Sequence, residues 1–341
     1  MGCYKSLPGA EFFFKIKKMN KGLTIFNLSV TSLLLLFLFT SYLSREEADK
    51  QAVNPTETEE QLSVAMLSQE IRSIRMKDHY EFAGERVPIE NFDIGERLER
   101  ELLVNSYWHS STSLNIKMAN RFFDMIEPIL AEEGIPDDFK YLAVAESNLR
   151  NVTSPAGAKG VWQFLANTGR AYGLEINAEV DERYHYEKAT RAASAYLRDY
   201  YKQFGSWTLA AAAYNMGGPR LKRFLADQRA ESYYDLNLFE ETNRYVFRII
   251  AFKEIMESPA HYGFLIDEED KYPPFDNVKW VPVNQPIANL GDFAAEHDIS
   301  YRMLKVYNPW LISGSLNNVS GKNYKIKVPL PEVHPVEIIA E

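Results

Sequence analysis

The stretch Ala143-Val-Ala-Glu-Ser-Asn-Leu149 sets a carboxylic acid, Glu146, at the end of an apolar segment, Tyr141 to Ala145. A glycine-punctuated stretch follows, Ser154-Pro-Ala-Gly-Ala-Lys-Gly-Val-Trp-Gln163, and brings in an aromatic plate, Trp162, and a polar hand, Gln163. Burial disfavours a carboxylate, so an acid against apolar walls keeps its proton to higher pH. An acid that still holds a proton near neutral pH can protonate a sugar oxygen. The plain alternative is a glutamate at a helix end that faces water. The two readings separate only through what surrounds Glu146.

The surroundings read as helices. Pro136 followed by Asp137 and Asp138 starts the helix that leads to Glu146. Asn148 to Lys159, with Ser154-Pro155 and Gly157, reads as loop. A helix is predicted from Val161 to Tyr172, ended by Gly173, and another from Glu187 to Phe204. Ser206 caps an alanine-rich helix that carries Tyr214 and Asn215 at its end, before Gly217-Gly-Pro219. A last helix, Phe239 to Met256, carries Tyr245. Upstream, Glu96–Tyr107 and Lys117–Glu133 show one-sided apolar spacing. Together these predict an all-helical domain over 93–260.

The character changes after residue 273. Val278-Lys-Trp-Val-Pro-Val283 and Tyr324-Lys-Ile-Lys-Val-Pro-Leu330 alternate like strands, and two helical patterns, Leu290–His297 and Tyr301–Pro309, lie between them. That is a small βααβ module within 273–335. At the other end, residues 1–22 carry five lysines and one acid, and Leu23 to Leu43 runs 21 residues without a charge. About 20 apolar residues span a bilayer as helix. The expectation is a basic cytoplasmic segment (1–22), a retained transmembrane anchor at 23–43, and the remainder outside the cytoplasm. A cleaved signal peptide is the alternative. Residues 44–92 read as a polar tether, with a short amphipathic helix at Gln69–Lys77.

Composition narrows the function classes. The net charge is −9 and no basic block interrupts the body of the chain, which argues against nucleic acid as a partner. Cys3 is the only cysteine, so neither an internal disulfide nor a cysteine-based zinc site is available. The six histidines show no metal-ligand spacing, and no cofactor is implied. Twenty Tyr, twenty Phe and five Trp supply both core and candidate sugar-stacking rings.

Four motifs then occur in order: Glu146-Ser147, Gly160-Val-Trp-Gln163, Ala213-Tyr-Asn215 and Glu241-Thr-Asn-Arg-Tyr-Val246. In this order they resemble the lytic transglycosylases of bacterial cell walls. The likeness is strongest to the family of membrane-bound lytic murein transglycosylase D, with its goose-type-lysozyme-like core. The resemblance spans roughly Ile135 to Met256. It implies a mainly α, lysozyme-like catalytic domain acting on peptidoglycan glycan strands in the periplasm.

It also implies that Glu146 serves as acid and then base, without a second catalytic carboxylate. The sugar's N-acetyl group would support the positive centre, and a 1,6-anhydro end would form without water. Ser147, Gln163, Tyr214, Asn215, Tyr245 and Trp162 are the implied glycan-binding residues. Each has a plainer alternative: Ser147 or Asn215 as helix caps, Gln163 as a solvated residue, and Tyr214, Tyr245 or Trp162 as core. Two positions depart from the family pattern: Leu149 stands where an aromatic is common, and Trp162 where many relatives have methionine.

The βααβ module resembles a degenerate LysM domain. It has Gly291-Asp292, Leu304, Asn308-Pro309 and Ile326-Lys-Val-Pro329, but Phe293-Ala294 where threonine-leucine is usual. The alternatives to a lyase are a hydrolytic muramidase or a non-catalytic wall-binding protein. Nothing in the sequence demands more than a monomer.

Overall fold

The structure is a computed structural model that describes Thr40, residues 73–319 and residues 321–330. The predicted anchor at 23–43 (Thr40 apart), the basic segment before it and most of the tether lie outside these residues. Among the described residues no helix is long and apolar enough to cross a membrane. The fold is mostly helical, with a small C-terminal strand module.

The first elements are a two-stranded antiparallel ribbon, β1 (Glu81–Phe82) and β2 (Glu85–Arg86). This ribbon corrects the expected tether, which ran to residue 92. Tyr80, Phe82 and Val87 are buried in the main core, and residues 73–77 are not helical. Their apolar side chains alternate with charged ones, a strand pattern too short to stand out beside the acidic stretch before it. The ribbon also closes a helix end. The Glu85 carboxylate accepts from the backbone N–H of Trp207 (2.5 Å) and Thr208 (2.9 Å) and from the Ser206 hydroxyl (2.8 Å). Four N–H groups at a helix start have no partner within the helix, and an anion there also meets the positive end of the helix dipole.

Two long helices follow, α1 (Phe92–Tyr107) and α2 (His109–Glu132), abutting at Trp108. The second starts eight residues before the predicted Lys117, because its first two turns are polar and hide the period. Next comes α3 (Lys140–Ser147), entered through a 3₁₀ turn at Asp137–Phe139. The predicted helix at Val161–Tyr172 shortens to α4 (Ala166–Ala171). Residues 159–164 instead form a tight turn, with Lys159 and Phe164 bonded to each other through both backbone N–H groups. Helix α5 (Tyr186–Phe204) leads through Gly205 to α6 (Trp207–Met216), which Ser206 caps through the N–H of Leu209.

A helix not anticipated from the sequence, α7 (Gly218–Gln228), begins at once, because Pro219 fits the first turn of a helix as readily as it ends one. Gly218 is required where it sits: a Cβ there would come within 2.6 Å of the Tyr200 ring. Helix α8 (Glu240–Glu257) packs against α1, α3 and α6. Ala210 to Ala213 are fully buried, and their small side chains let α6 lie close to its neighbours.

The C-terminal strands β3 (Val278–Val283) and β4 (Tyr324–Pro329) pair antiparallel, with Val278 opposite Pro329, and enclose α9 (Leu290–Glu296) and α10 (Tyr301–Tyr307). The predicted strand–helix–helix–strand order is the observed one. The module is not a free bead. Its core takes in Val180 from the helical part. Asp181 N–H donates to the Trp310 carbonyl (2.9 Å), His185 stacks on Trp310, and buried Lys327 forms an ion pair with half-buried Glu187.

Two truncations test the reassigned ribbon. A chain starting at residue 73 keeps the thermal midpoint of the longer chain. A chain starting at residue 93 loses Tyr80, Phe82, Val87 and the Glu85 cap, and melts at least about 10 °C lower by circular dichroism. Glu85→Ala alone costs about 2 kcal/mol by denaturant unfolding.

Candidate active site

Glu146 stands in the last turn of α3, behind Leu142, Ala143 and Val144, all with no measurable exposure. The backbone turns immediately after it. Asn148 and Leu149 both adopt left-handed φ, and Asn148 is anchored by a hydrogen bond from the Asn115 side chain of α2 (2.9 Å). The chain is thereby turned away and the carboxyl group is left at a helix end. Burial pushes the Glu146 carboxyl up to about 7, against the lowering effects of the Tyr245 hydroxyl and the Arg248 charge. Glu241 adds a smaller upward push. At that value the group can both give and regain a proton near neutral pH.

Tyr245, on α8, is buried and donates its hydroxyl hydrogen to Glu146 Oε1. Burial raises the tyrosine's own pKa well above its usual value, so it acts as a donor and not as an acid. Tyr214 is half-buried, in the last turn of α6. It donates to the Trp162 carbonyl (2.6 Å), tying α6 to the turn at 160–164. Asn215 accepts from the Thr242 hydroxyl (2.7 Å) and reaches toward Glu241 (3.4 Å), joining α6 to the first turn of α8. It therefore sits between two helices and is not a lone cap.

Three expected contacts fall differently. Trp162 is not placed as a sugar platform: it is 0% exposed and its Nε1–H donates to Thr190 Oγ1 (2.9 Å), so its ring is core. Ser147 is buried, with its hydroxyl between the carbonyls of Ala143 (3.1 Å) and Val161 (2.9 Å). Its proton braces α3 to the turn and is not offered to a ligand. Gln163 is half-buried at left-handed φ of 48°, not in a helix, and its Nε2 donates to the Gly160 carbonyl (2.7 Å). Gly160 itself is obligatory, since its φ is +81° and a Cβ there would strike the Arg183 carbonyl at 1.8 Å.

One participant was missed. Arg248 follows Tyr245 by three residues, so the two share a face of α8, and its guanidinium lies over the Tyr245 ring, 5.7 Å from the centroid. The spacing Glu241, Tyr245, Arg248 was readable as one helical stripe. Among the described residues no three His, Cys, Asp or Glu side chains gather as a metal ion would need.

Residues 125–237 match the family model for the transglycosylase SLT domain, and residues 279–332 match that for the soluble lytic transglycosylase C-terminal LysM-like domain. The chain carries an SLT domain followed by a LysM-like domain. Membrane-bound lytic murein transglycosylase D of Escherichia coli strain K12 is 29% identical over 268 residues, which cover 75% of this chain and 56% of the relative. The chain thus spans little more than half the length of the curated relatives it matches. Among solved structures, lytic transglycosylase Slt from Pseudomonas aeruginosa, an inactive mutant, is 23% identical and covers 44% of this chain and 26% of its own, at a TM-score of 0.35. The soluble lytic transglycosylase of Escherichia coli is 24% identical over 41% of this chain and 23% of its own, at 0.34.

The site around Glu146 makes two predictions. Tyr245→Phe removes a hydrogen bond that favours the carboxylate, so Glu146 titrates at higher pH than about 7, read by carbon-13 NMR of labelled glutamate. Glu146→Gln has a pH-dependent effect on stability. The folded state holds a proton that the unfolded chain releases from about pH 4.5, so native stability falls as pH rises from there to about 7. The variant escapes that loss: its melting point exceeds wild type by about 5 °C at pH 8 and is nearly equal at pH 4.

Proposed function

We propose that this chain is a peptidoglycan lytic transglycosylase, a lyase that cleaves the bond from MurNAc to GlcNAc and leaves a 1,6-anhydro-MurNAc end. The observation that carries the reading is one carboxyl group, Glu146, which lies within the segment that matches the SLT domain, is pushed up to about 7, and is gripped by Tyr245 from the helix that follows that segment. In this mechanism protonated Glu146 gives its proton to the glycosidic oxygen, and the GlcNAc side leaves as an alcohol. The N-acetyl group of the MurNAc residue shields the positive centre at C1. Glu146, now a carboxylate supported by the Tyr245 hydroxyl, takes the proton of the 6-hydroxyl, whose oxygen closes on C1. The glutamate ends protonated as it began, and no water is consumed.

Ser147, Gln163, Tyr214 and Asn215 hold the cleft's walls in this reading, and Trp162 supports them from the core. The span 93–260 is the catalytic domain, and 273–335 is a glycan-binding module. Residues 23–43 anchor the enzyme in the cell envelope with the catalytic part in the periplasm. The printed name of the relative, membrane-bound lytic murein transglycosylase D, supports this placement. A second reading has one observation in its favour. The charge of Glu241 reaches Glu146 and could serve a hydrolytic muramidase as a base for water.

Mass spectrometry of products from purified peptidoglycan separates the two. Residues 46–341 release anhydro-muropeptides, Glu146→Gln releases none, and Glu241→Gln retains the anhydro product. Reducing-end products from wild type would instead establish the muramidase.

A further inference from the structure

Arg248 is a cation whose compensation is incomplete. Its Nε is buried with no hydrogen-bond partner among the described residues, and it makes no ion pair there. Other arginines in α8's neighbourhood are engaged: Arg244 is bound by Glu101 (2.6 Å), Arg97 by Asn243 (2.8 Å), and Arg100 pairs with Glu240 (3.5 Å). Arg248 keeps part of its surface open to solvent while its guanidinium lies over the Tyr245 ring. The buried Nε is costly to leave unpaired, and the part of the guanidinium that stays open offers N–H donors in a planar fork, which a carboxylate fits best. The anion within electrostatic reach, Glu146, is neutral whenever it is ready to act as an acid.

We propose that Arg248 receives a carboxylate of the muramoyl arm of the substrate, one helical turn from the residue that grips the acid. The inference rests on the function proposed above and names what its site selects. The muramoyl arm is the only anionic part of the glycan repeat: it ends either in a free lactyl carboxylate or in the carboxylates of an attached peptide. Docking either anion on Arg248 neutralises the charge that draws Glu146 toward its ionised form. Substrate binding thereby holds the proton on the acid until it is transferred, and an uncharged N-acetylglucosamine chain gains no such help.

The test separates this inference from the catalytic reading by measuring binding without turnover. Full-length Glu146→Gln protein in detergent is titrated calorimetrically with three GlcNAc–MurNAc tetrasaccharides: lactyl acid, lactyl methylamide, and peptide-bearing. Acid, peptide-bearing or both should bind about tenfold tighter than the amide, and the pattern names the source of the anion. Adding Arg248→Gln should bring the ratio to about one, with affinity for the amide unchanged. If that protein does not fold, Arg248→Lys carries the test, and loss of the bidentate fork should lower the ratio severalfold. An unchanged ratio, or equal weakening for all three ligands, overturns the proposal. Failure of wild type to form anhydro ends would count against the lyase reading alone, since the affinity ratio does not depend on it.

Discussion

Taking a carboxyl group out of water is costly unless the protein offers hydrogen bonds or leaves the group neutral. Glu146 sits between those two solutions. Its apolar surroundings favour the neutral acid, while the Tyr245 hydroxyl and the charge of Arg248 favour the anion. The balance near neutrality requires all of these groups to stay in place, and they come from different helices. Much of the helical architecture is the scaffolding of that balance. Helix α8 carries Tyr245 and Arg248 on one stripe and packs against α3, which carries Glu146, and against α6, which carries Tyr214 and Asn215.

The turn at 160–164 is the second brace. The Ser147 hydroxyl, the Tyr214 hydroxyl and the Trp162 indole fasten it to α3, α6 and α5. The first two bonds end on backbone carbonyls of the turn. Buried polar groups that are all satisfied stiffen a structure, and one left unsatisfied is costly, so these bonds are expected to act as a unit. Several residues that looked like ligand contacts in the sequence thus hold the backbone that shapes the site.

The C-terminal module is held in a comparable way. Trp310 lies between His185 of the helical part and Tyr324 of the module's own sheet, and Lys327 pairs with half-buried Glu187 of the helical part. A module fastened through stacked rings, a partly buried ion pair and a shared core moves with the helical part. Any glycan that it binds would therefore be held at a set offset from Glu146, in contrast to a bead on a flexible tether.

Local pattern carried a good deal of this protein. One-sided apolar spacing marked most helices, Ser206 marked the start of α6, and strand alternation marked the βααβ order, because each depends on residues within a turn or two. The acid at the end of an apolar segment, and the four ordered motifs around it, were equally legible. Packing decided the rest. Trp162 and Gln163 are adjacent in sequence, yet a left-handed turn sends one into the core and leaves the other at the surface of the turn. Polar first turns hid the start of α2, and Pro219 signalled a stop where a helix begins. The ribbon at 81–86 gained meaning only when Glu85 met the start of a helix some 120 residues later in the chain. Arg248 was visible as a residue, but its unmet hydrogen-bonding capacity was not, because whether a charge has a partner depends on which distant segments fold beside it.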